Sequence, residues 1–468
     1  MSKRKKIVII GGGITGLTTA YYWQQKVNDE QLPYDIQLIE ASDRLGGKIR
    51  TYKQDGFTIE RGPDSFLARK EPGIRLAKSL GIEHQLVRNQ TGQAYILVED
   101  TLHKMPKGSV MGVPTELAPF WDSTLLSTKG KLRVGLDFLL PRSTHVGDQS
   151  LGYFLRRRFG DELVENTIEP LLSGIYAGDM DEMSLLATFP DFFEAEQSYK
   201  SVIKGLQHTR KKPARQTGKV AGQFYSFKNG LETLVNELKR ALTTTDISLN
   251  KAVTEVRCNN GVYEVICQDE VIVADSVVVT TPHHVFSQIF PAYDFFQAFS
   301  NTPANSVANV ALAYDQSAID KDLDGTGFVI SRNSNYRITA CTWTHKKWEN
   351  TTPDGKALLR AYVGKPGDRE IVQLSDEEIV DIVLQDIERS MGITANPEFT
   401  IVTRWEQAMP QYTIGHKARI QHLRRQAEHY LPGVFFAGSS FEGVGIPDCI
   451  GQAEELVEAL SAYLTQQD

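Results

Sequence analysis

The hydrophobic pattern of the first forty residues predicts a strand, a tight turn, a helix and a second strand. Residues 5–10 and 35–40 are short apolar runs typical of buried strands. Between them, the glycine-rich residues 11–16 lead into 17–27, where apolar side chains recur at helical spacing. This order predicts a βαβ unit.

Similar signals recur near the middle and at the end of the chain. Residues 274–280 and 434–438 read as buried strands, 452–463 as a helix, and 252–273 as a β-meander. The pattern therefore predicts an α/β fold in which one Rossmann-like nucleotide-binding domain is assembled from separate segments. A mixed α+β substrate domain and a helical subdomain account for the remainder. The predicted division is 1–65, 221–282 and 401–468 for the cofactor domain, 66–220 for the helical, substrate-access domain, and 283–400 for the substrate-binding domain.

Composition narrows the function classes. With 468 residues, the chain is long enough for two or three domains, and its net charge of −7 argues against nucleic acid as a partner. The four cysteines show no metal-ligand spacing, and no apolar run is long enough to span a membrane, so we expect a cytoplasmic protein without a metal. Residues 200–219 carry seven Lys or Arg and no acid. This basic stretch is interpreted as a solvated loop, or alternatively as a docking patch for an acidic partner or an anionic membrane surface.

The turn after the first strand has the chemistry of a dinucleotide site. Gly11 permits the tight turn, Gly13 lets backbone N–H groups approach a pyrophosphate, and Gly16 lets helix and strand pack closely. The helix that follows offers unpaired N–H donors and a positive dipole end to the anion. Glu40, at the end of the second strand, can accept hydrogen bonds from both ribose hydroxyls, and its charge disfavours NADP.

Two further segments favour FAD over NAD. Paired glycines flanked by Arg44 and Lys48 can form a second cradle for the pyrophosphate. The turn at 60–65 brings polar donors close to the backbone, as the edge of an isoalloxazine ring requires.

These motifs resemble the amine-oxidase-type flavoprotein superfamily. Three more segments narrow the resemblance to the protoporphyrinogen oxidase family, and most closely to its bacterial branch acting on coproporphyrinogen III. They are EPLLSGIYAGD at 169–179, MPQYTIGH at 409–416 and GSSFEGVGIPDCI at 438–450. The similarity runs over nearly the whole chain.

The resemblance implies a non-covalently bound FAD and a defined set of contacts. Val256 is implied on the adenine side, and Trp405 beside the flavin. The related monoamine oxidases attach their flavin through a cysteine next to a Ser-Gly-Gly run, which is absent here, so Cys449 is not assigned a covalent bond. The candidate cofactor-binding residues are Gly11, Gly12, Gly13, Ile14, Thr15, Gly16, Glu40, Ala41, Arg44, Gly47, Lys48, Gly62, Pro63, Asp64, Ser65, Val256, Trp405, Val444, Gly445 and Ile446.

In such a family, three flavin cycles remove six electrons from the porphyrinogen, and dioxygen is reduced to hydrogen peroxide. Asp448 is interpreted either as a helix cap or as the group that handles a pyrrole proton, and Tyr362 either as a phenol over the ring or as a packed strand residue. Lys70, with Arg69, is a candidate for the substrate propionates. Ile175 and Phe328 are candidates for the apolar faces of the macrocycle or for core packing. Where eukaryotic members carry an arginine this chain has Ala94, which favours the bacterial branch and its more open pocket.

Other functions stay open at this point. One is a flavin amine oxidase or carotenoid desaturase of the same superfamily. Another is a non-enzymatic binding protein like the GDP-dissociation inhibitors, although the retained glycines and Glu40 argue against it. Preference for coproporphyrinogen over protoporphyrinogen, peripheral membrane contact and a partner enzyme of the haem pathway are also left open.

Overall fold

The computed structural model describes residues 4–90, 92–145, 147–209, 222–319, 323–368 and 370–467. Its strands are β1 (Lys5–Ile10), β2 (Tyr34–Ile39), β3 (Thr51–Gln54), β4 (Phe57–Glu60), β5 (Phe66–Leu67), β6 (Leu86–Arg88), β7 (Tyr95–Val98), β8 (Thr101–Lys104), β9 (Ser109–Val110), β10 (Val113–Pro114), β11 (Phe224–Phe227), β12 (Thr245–Ser248), β13 (Val253–Asn259), β14 (Val262–Cys267), β15 (Val271–Ala274), β16 (Ser276–Val279), β17 (Ala304–Asp315), β18 (Gly327–Ile330), β19 (Ile338–Trp343), β20 (Lys356–Val363), β21 (Phe399–Pro410) and β22 (Val434–Phe436).

The α-helices in these ranges surround and connect the sheets. They are α1 (Ile14–Asp29), α2 (Glu71–Ser79), α3 (Leu117–Trp121), α4 (Thr128–Gly135), α5 (Leu151–Phe159), α6 (Asp161–Leu163), α7 (Glu169–Tyr176), α8 (Leu185–Thr188), α9 (Pro190–Tyr199), α10 (Val202–Thr209), α11 (Glu232–Ala241), α12 (Phe286–Ile289), α13 (Gln297–Ser300), α14 (Thr344–Lys347), α15 (Asp376–Met391), α16 (His416–Tyr430) and α17 (Ile446–Thr465). Among the helices within the described ranges, none combines the length and apolar character needed to cross a bilayer.

A five-stranded parallel sheet lies at the centre of the first of three parts, the one that the sequence predicts to bind the cofactor. Its order is β12-β2-β1-β16-β22, so strands from the beginning, middle and end of the chain lie side by side. Ile7, Val8, Ile9 and Ile10 are almost completely buried because both faces of a parallel sheet are covered. The predicted βαβ unit is β1–α1–β2, and the predicted meander is the antiparallel sheet β13-β14-β15.

A seven-stranded sheet forms the second part, in the order β21-β17-β20-β19-β18-β7-β8. Two of its parts differ from the boundaries expected from the sequence. β21 lies in this sheet and not in the cofactor domain, because it pairs with β17 along most of its length. β7 and β8 also join it, through β18, although they fall within the segment expected to be helical. Helix α15 packs on one face of the sheet.

Helices α3–α10 build the third part around an apolar cluster that includes Phe154 and Leu155. A buried ion cluster stabilises it: the guanidinium of Arg158 contacts the carboxylates of Asp137 and Glu196, and all three side chains are fully buried. Of the basic stretch at 200–219, residues 210–219 lie outside the described residues. Lys204 lies over the ring of Phe138, with its Nζ 5.6 Å from the ring centre.

Candidate active site

The glycine turn between β1 and α1 leaves an open cradle. Gly11 has a φ of +110°, which other residues rarely adopt. A Cβ on Gly16 would lie 1.9 Å from the carbonyl oxygen of Gly11, so close helix–strand packing requires glycine there. A Cβ on Gly13 would meet nothing within 4 Å. The turn is therefore tight on its inner side and open above Gly13.

The N-termini of α1 and α17 carry no side-chain cap. Gly13 precedes α1 and Gly445 precedes α17, and neither can cap its helix with a side chain. The first turn of α1, which contains Ile14 and Thr15, has no acidic residue. The N–H groups and positive dipole end of α1 therefore remain available to an anion.

The carboxylate of Glu40 borders this cradle at the end of β2. One of its oxygens accepts a hydrogen bond from the Gly12 N–H at 2.6 Å, and the other accepts from the N–H and hydroxyl of Ser42 at 2.8 and 2.7 Å. Ala41, next in the chain, is exposed. Glu40 is thus held at the edge of the turn, where a ribose would reach it.

Arg44 and Lys48 have different roles in the second cradle. Arg44 donates to the carbonyl oxygens of Gly47 and Ile49, at 2.8 and 2.5 Å, and so stabilises its own loop. Lys48 donates to the carbonyl of Ala408 and lies 3.4 Å from the hydroxyl of Ser439. Burial lowers the pKa of the Lys48 amine. Lys48 is therefore the cation that connects this loop to the glycine-rich segment 438–445.

The turn after β4 is fixed against the seven-stranded sheet. The carbonyl oxygen of Arg61 accepts hydrogen bonds from Asn309 Nδ2 at 2.6 Å and from Trp405 Nε1 at 2.7 Å. The carbonyl oxygen of Gly62 accepts from Arg360 at 2.7 Å. These side chains come from β17, β21 and β20, so the sheet determines the position of residues 61–65. Pro63 is half-buried within this turn.

Asp64 is a member of a buried charge cluster. Its carboxylate lies 2.8 Å from Lys347 Nζ and 3.6 Å from Arg360, and it accepts a hydrogen bond from Ser65 at 2.6 Å. Burial alone would raise the pKa of Asp64, but Lys347 and Arg360 outweigh it and hold the pKa below its usual range. Asp64 and Ser65 therefore hold the turn in shape, a role that the sequence did not indicate.

Side chains absent from the predicted set organise the segment 438–445. The hydroxyl of Tyr412 donates to the Ser439 carbonyl at 2.7 Å and accepts from the Gly443 N–H at 2.9 Å. Gln452 accepts from the Gly438 N–H and donates to the Glu442 carbonyl. Tyr412 belongs to the MPQYTIGH motif, so this motif was the sequence feature from which its role in holding the segment could have been predicted.

Two buried histidines complete this support. His283 lies 3.0 Å from the Ser440 hydroxyl and 2.7 Å from the Thr302 carbonyl, and His416 lies 2.8 Å from the Phe441 carbonyl. Burial lowers the pKa of each to about 4. Both imidazoles are therefore neutral near pH 7.

Lys70 and Asp448 form an ion pair with each other. Lys70 Nζ lies 2.5 and 2.7 Å from the two carboxylate oxygens of Asp448. Asp448 lies in the first turn of α17, whereas the N-cap position is Gly445, so the interpretation of Asp448 as the cap is wrong. Both side chains remain partly exposed. The pair brings together one candidate for propionate binding and one for proton handling.

Strand pairing decides which side chains face the turn at 61–65. Tyr362 pairs with Asn309 on one side and with Ala340 on the other, so it lies on the same face as the Asn309 side chain. Burial raises the pKa of the Tyr362 phenol. Val329 shares this face through its pairing with Ala340.

Phe328 lies on the opposite face, in the core with α15, and is 3% exposed. Of its two interpretations, the structure therefore supports core packing, and the apolar residue on the site face is Val329. Ile175, on α7, is 40% exposed. The neighbouring Gly174 faces Val329, because a Cβ there would lie 4.0 Å from Val329 Cγ1. Helix α7 therefore packs close to the site face of the sheet, with Ile175 exposed beside this contact.

The remaining candidates lie in the glycine-rich segment 438–445, at the start of α17 and on β13. Cys449 is buried, and burial raises the pKa of its thiol to about 11, so the thiolate is scarce. Val444 is half-buried, and Ile446 is buried. Val256 is buried in the core beside β1, which leaves its backbone as the part able to meet an adenine. Within the described ranges, no group of three or more His, Cys, Asp or Glu side chains could hold a metal ion.

These observations fit a flavin dinucleotide. The open space above Gly13, the uncapped N-terminus of α1 and the half-buried Lys48 suit a diphosphate. Arg360 is fully buried, and its Nε has no hydrogen-bond partner among the described residues, whereas its Nη1 faces the Asp64 carboxylate at 3.6 Å. The unpaired Nε lies beside the turn at 61–65 and suits an additional acceptor.

Comparison with known proteins supports this interpretation. The family model described as flavin containing amine oxidoreductase matches residues 14–460. The chain belongs to this flavoenzyme family. It is an oxidase of the branch that contains the coproporphyrinogen III and protoporphyrinogen oxidases, and it uses a flavin cofactor.

Individual relatives match along almost their whole length. The chain is 51% identical to the coproporphyrinogen III oxidase of Bacillus subtilis over 98% of this chain and 99% of that protein. It is 44% identical to the Staphylococcus aureus protein of the same name over 98% of this chain and all of the relative. A crystal structure of an Exiguobacterium sp. 255-15 protein, assigned provisionally to the protoporphyrinogen oxidases, superposes with a TM-score of 0.87 at 40% identity, covering 98% of this chain and 99% of the other.

Proposed function

We propose that the protein binds FAD non-covalently and oxidises coproporphyrinogen III to coproporphyrin III, with reduction of dioxygen to hydrogen peroxide. The observation that carries the proposal is the full-length similarity to two proteins named coproporphyrinogen III oxidase. When bound, the flavin supplies two-electron oxidation, and three cycles account for the six electrons that separate porphyrinogen from porphyrin.

The chain's own residues would bind the cofactor along its length. The N–H groups of 11–16 and the N-terminus of α1 would meet the diphosphate, and Glu40 the adenosine ribose. The turn 62–65 and residues 444–446 would border the ring. The N-terminus of α17 would favour negative charge on the reduced ring. The buried, protonated Cys449 thiol is consistent with a non-covalent bond.

The Lys70–Asp448 pair would select and orient the substrate. A propionate carboxylate can replace Asp448 on the Lys70 ammonium, which keeps the lysine paired. Asp448 would then be free to accept a proton from a pyrrole N–H. Tyr362, Val329 and Ile175 would provide surfaces for the macrocycle between the sheet and α7.

Anaerobic mixing with each porphyrinogen tests the proposal. We expect bleaching of a yellow flavin by coproporphyrinogen III, and slower bleaching by protoporphyrinogen IX, whose two propionates offer fewer partners for Lys70. Amines should leave the flavin oxidised, which separates this function from that of an amine oxidase. Equal or reversed rates with the two porphyrinogens would overturn the substrate assignment, and a protein that cannot be reconstituted with FAD would overturn the whole proposal.

The cytoplasmic location, any peripheral membrane contact and any partner enzyme of the haem pathway are predictions from the sequence. Cell fractionation, followed by detection of the protein in the soluble and membrane fractions, tests the first two.

A further inference from the structure

The last residue of α7 is a tyrosine that lies outside the set of residues assigned to the cofactor and the substrate. Tyr176 follows Ile175, whose exposed side chain is assigned to the macrocycle. The Tyr176 ring packs edge-on against two other rings, with its centre 6.2 Å from that of Phe189 and 6.1 Å from that of Tyr412. The ring is therefore held from two sides.

Hydrogen bonds from the seven-stranded sheet and its flank fix the backbone at the same point. The carbonyl oxygen of Tyr176 accepts from Gln411 Nε2 at 2.9 Å, directly after β21. The carbonyl oxygen of Ala177 accepts from Asn305 Nδ2 at 2.5 Å, on β17. Because both the ring and the backbone are fixed, the direction of the phenol is fixed as well.

The hydroxyl group of this side chain is free to bind a ligand. It has no hydrogen-bond partner among the residues that the structure describes, and its oxygen is not one of the polar atoms enclosed by protein. Tyr176 as a whole is half-buried. A tyrosine hydroxyl in such a position usually has a partner, and here that partner can come from a bound ligand.

Two contacts and one charge place this phenol beside the start of α17. The hydroxyl of Tyr412, against which the Tyr176 ring packs, accepts a hydrogen bond from the Gly443 N–H at 2.9 Å. A Cβ on Gly443 would lie 2.6 Å from the Asp448 side chain. Burial, and after it the charge of Asp448, raise the pKa of the Tyr176 phenol to about 12. The phenol therefore keeps its proton near pH 7 and is a donor close to a carboxylate.

Lys70 binds the same carboxylate. Its Nζ lies 2.5 and 2.7 Å from the two oxygens of Asp448. A carboxylate can accept about four hydrogen bonds, so an ammonium and a phenol can both donate to one such group. Lys70 and Tyr176 are thus two donors close to one carboxylate position, and only Lys70 has an acceptor in the ligand-free protein.

We propose that Tyr176 and Lys70 together form a carboxylate-binding site, in which one propionate of the substrate accepts hydrogen bonds from both the phenol and the ammonium. The inference rests on the proposed function and gives a second donor to the propionate that displaces Asp448. Lys70 precedes α2 and Tyr176 ends α7, so one propionate contacts two separate parts of the protein. The ammonium supplies the charge and the phenol fixes the orientation.

Binding of coproporphyrin III to the FAD-loaded protein, followed by porphyrin fluorescence, tests the site without turnover. Tyr176→Phe keeps both ring contacts and removes only a hydroxyl without a protein partner, so this variant should fold. Its Kd should be about tenfold higher, because one hydrogen bond to a charged group is lost. Tyr153→Phe is the matched control, since Tyr153 is 63% exposed on α5, and its Kd should be that of the wild type. Equal Kd values for the two variants would overturn the proposal.

A double-mutant cycle tests whether the two donors hold one carboxylate. In the Lys70→Gln background the propionate is no longer held at this position, so Tyr176→Phe should raise the Kd by less than about threefold. The full tenfold loss in both backgrounds would overturn a shared site, because independent contacts contribute additively. Reduction of the flavin by coproporphyrinogen III is measured separately on the wild-type protein. A failure of the proposed function is seen in that measurement and not in the ratio of these binding constants.

Discussion

At the residue scale, the proposed function gives the Lys70–Asp448 ion pair two roles, in propionate binding and in proton transfer. Each charge neutralises the other, and both side chains remain accessible at the start of α2 and α17. An anionic substrate can therefore exchange with Asp448 at Lys70 without leaving a cation unpaired. A neutral or cationic ligand gains nothing from this exchange, so we expect the pair to favour carboxylated substrates.

Replacement of the ammonium tests this role. Lys70→Gln should raise the KM for coproporphyrinogen III about tenfold, because one charge-assisted hydrogen bond is lost, with a smaller effect on kcat. Steady-state kinetics measures both parameters. Lys78→Gln is the matched control, since Lys78 is an exposed lysine in the last turn of α2. Similar KM values for the two variants would remove Lys70 from the substrate site.

A second prediction concerns the contribution of Glu40 to FAD binding. Glu40→Ala removes the acceptor for both ribose hydroxyls and should weaken FAD binding about tenfold to a hundredfold. Equilibrium dialysis followed by absorbance at the flavin band measures this effect. Asp43→Ala also removes one negative charge, from an exposed residue nearby in the chain, and this variant should retain FAD. Unchanged occupancy in Glu40→Ala would exclude the ribose contact.

The sequence indicated which residue types the site requires better than it indicated where their side chains point. Glu40 and the glycines of the turn could be assigned because a dinucleotide requires them at fixed spacing. The sequence could not show whether Phe328 or Val329 faces the site. Neighbouring strand residues face opposite sides of a sheet, and the register of this strand depends on its pairing with β19. Arg44 likewise matched a cationic cradle, but its partners are carbonyl groups within its own loop and the carboxylate of Glu232 on α11.

At the element scale, two buried, neutral histidines hold the glycine-rich segment 438–445 in place. His283 and His416 contact Ser440 and the Phe441 carbonyl, and burial holds the pKa of each near 4. Because the folded-state pKa lies below the unfolded value of about 6.5, the neutral form is favoured by folding. This contribution is fully present above pH 6.5 and is lost progressively as the pH falls towards 4.

Acidification should therefore loosen the segment and release the cofactor. As the pH falls from 6.5 to 4, protonation of each histidine should lower the free energy of unfolding by about 3 kcal/mol. FAD retention should fall over the same range. His416→Gln preserves a donor for the Phe441 carbonyl and cannot titrate, so its denaturation midpoint should depend less steeply on pH. The exposed His422→Gln should keep the wild-type slope. Parallel slopes in both variants would contradict the assignment.

The start of α17 was predicted only in part from the sequence. Helical spacing was detected from residue 452, whereas the helix begins at Ile446. The first turn contains Pro447 and Asp448 and follows a glycine-rich segment, so its composition is typical of a loop. Proline is favoured at this position of a helix because its missing N–H would be unpaired there in any case. The start depends on packing against α1 and α2, which local pattern does not encode.

At the scale of the whole molecule, the two large sheets are joined through the turn 61–65. That turn follows a hairpin next to the cofactor cradle, yet its backbone is held by Asn309, Trp405 and Arg360 from the seven-stranded sheet. The sequence predicted the discontinuous parallel sheet because its buried strands are strongly apolar. It could not assign β21 or β7–β8 to the second sheet, since pairing between distant strands leaves little local signal.

Because the cofactor would contact both sheets, its removal should weaken the protein as one unit. A ligand present at a thousand times its Kd stabilises the folded state by about 4 kcal/mol, which for a chain of this length corresponds to a rise in Tm of roughly 5 °C. We expect far-UV circular dichroism, which follows all helices, and tryptophan fluorescence, which includes Trp343, Trp348 and Trp405 near the second sheet, to shift together when FAD is removed. Restoring FAD should return both transitions to their original temperature, and NAD at the same concentration is the control. A shift confined to one probe would mean that the cofactor stabilises one half alone, and the turn 61–65 would then not couple the two sheets.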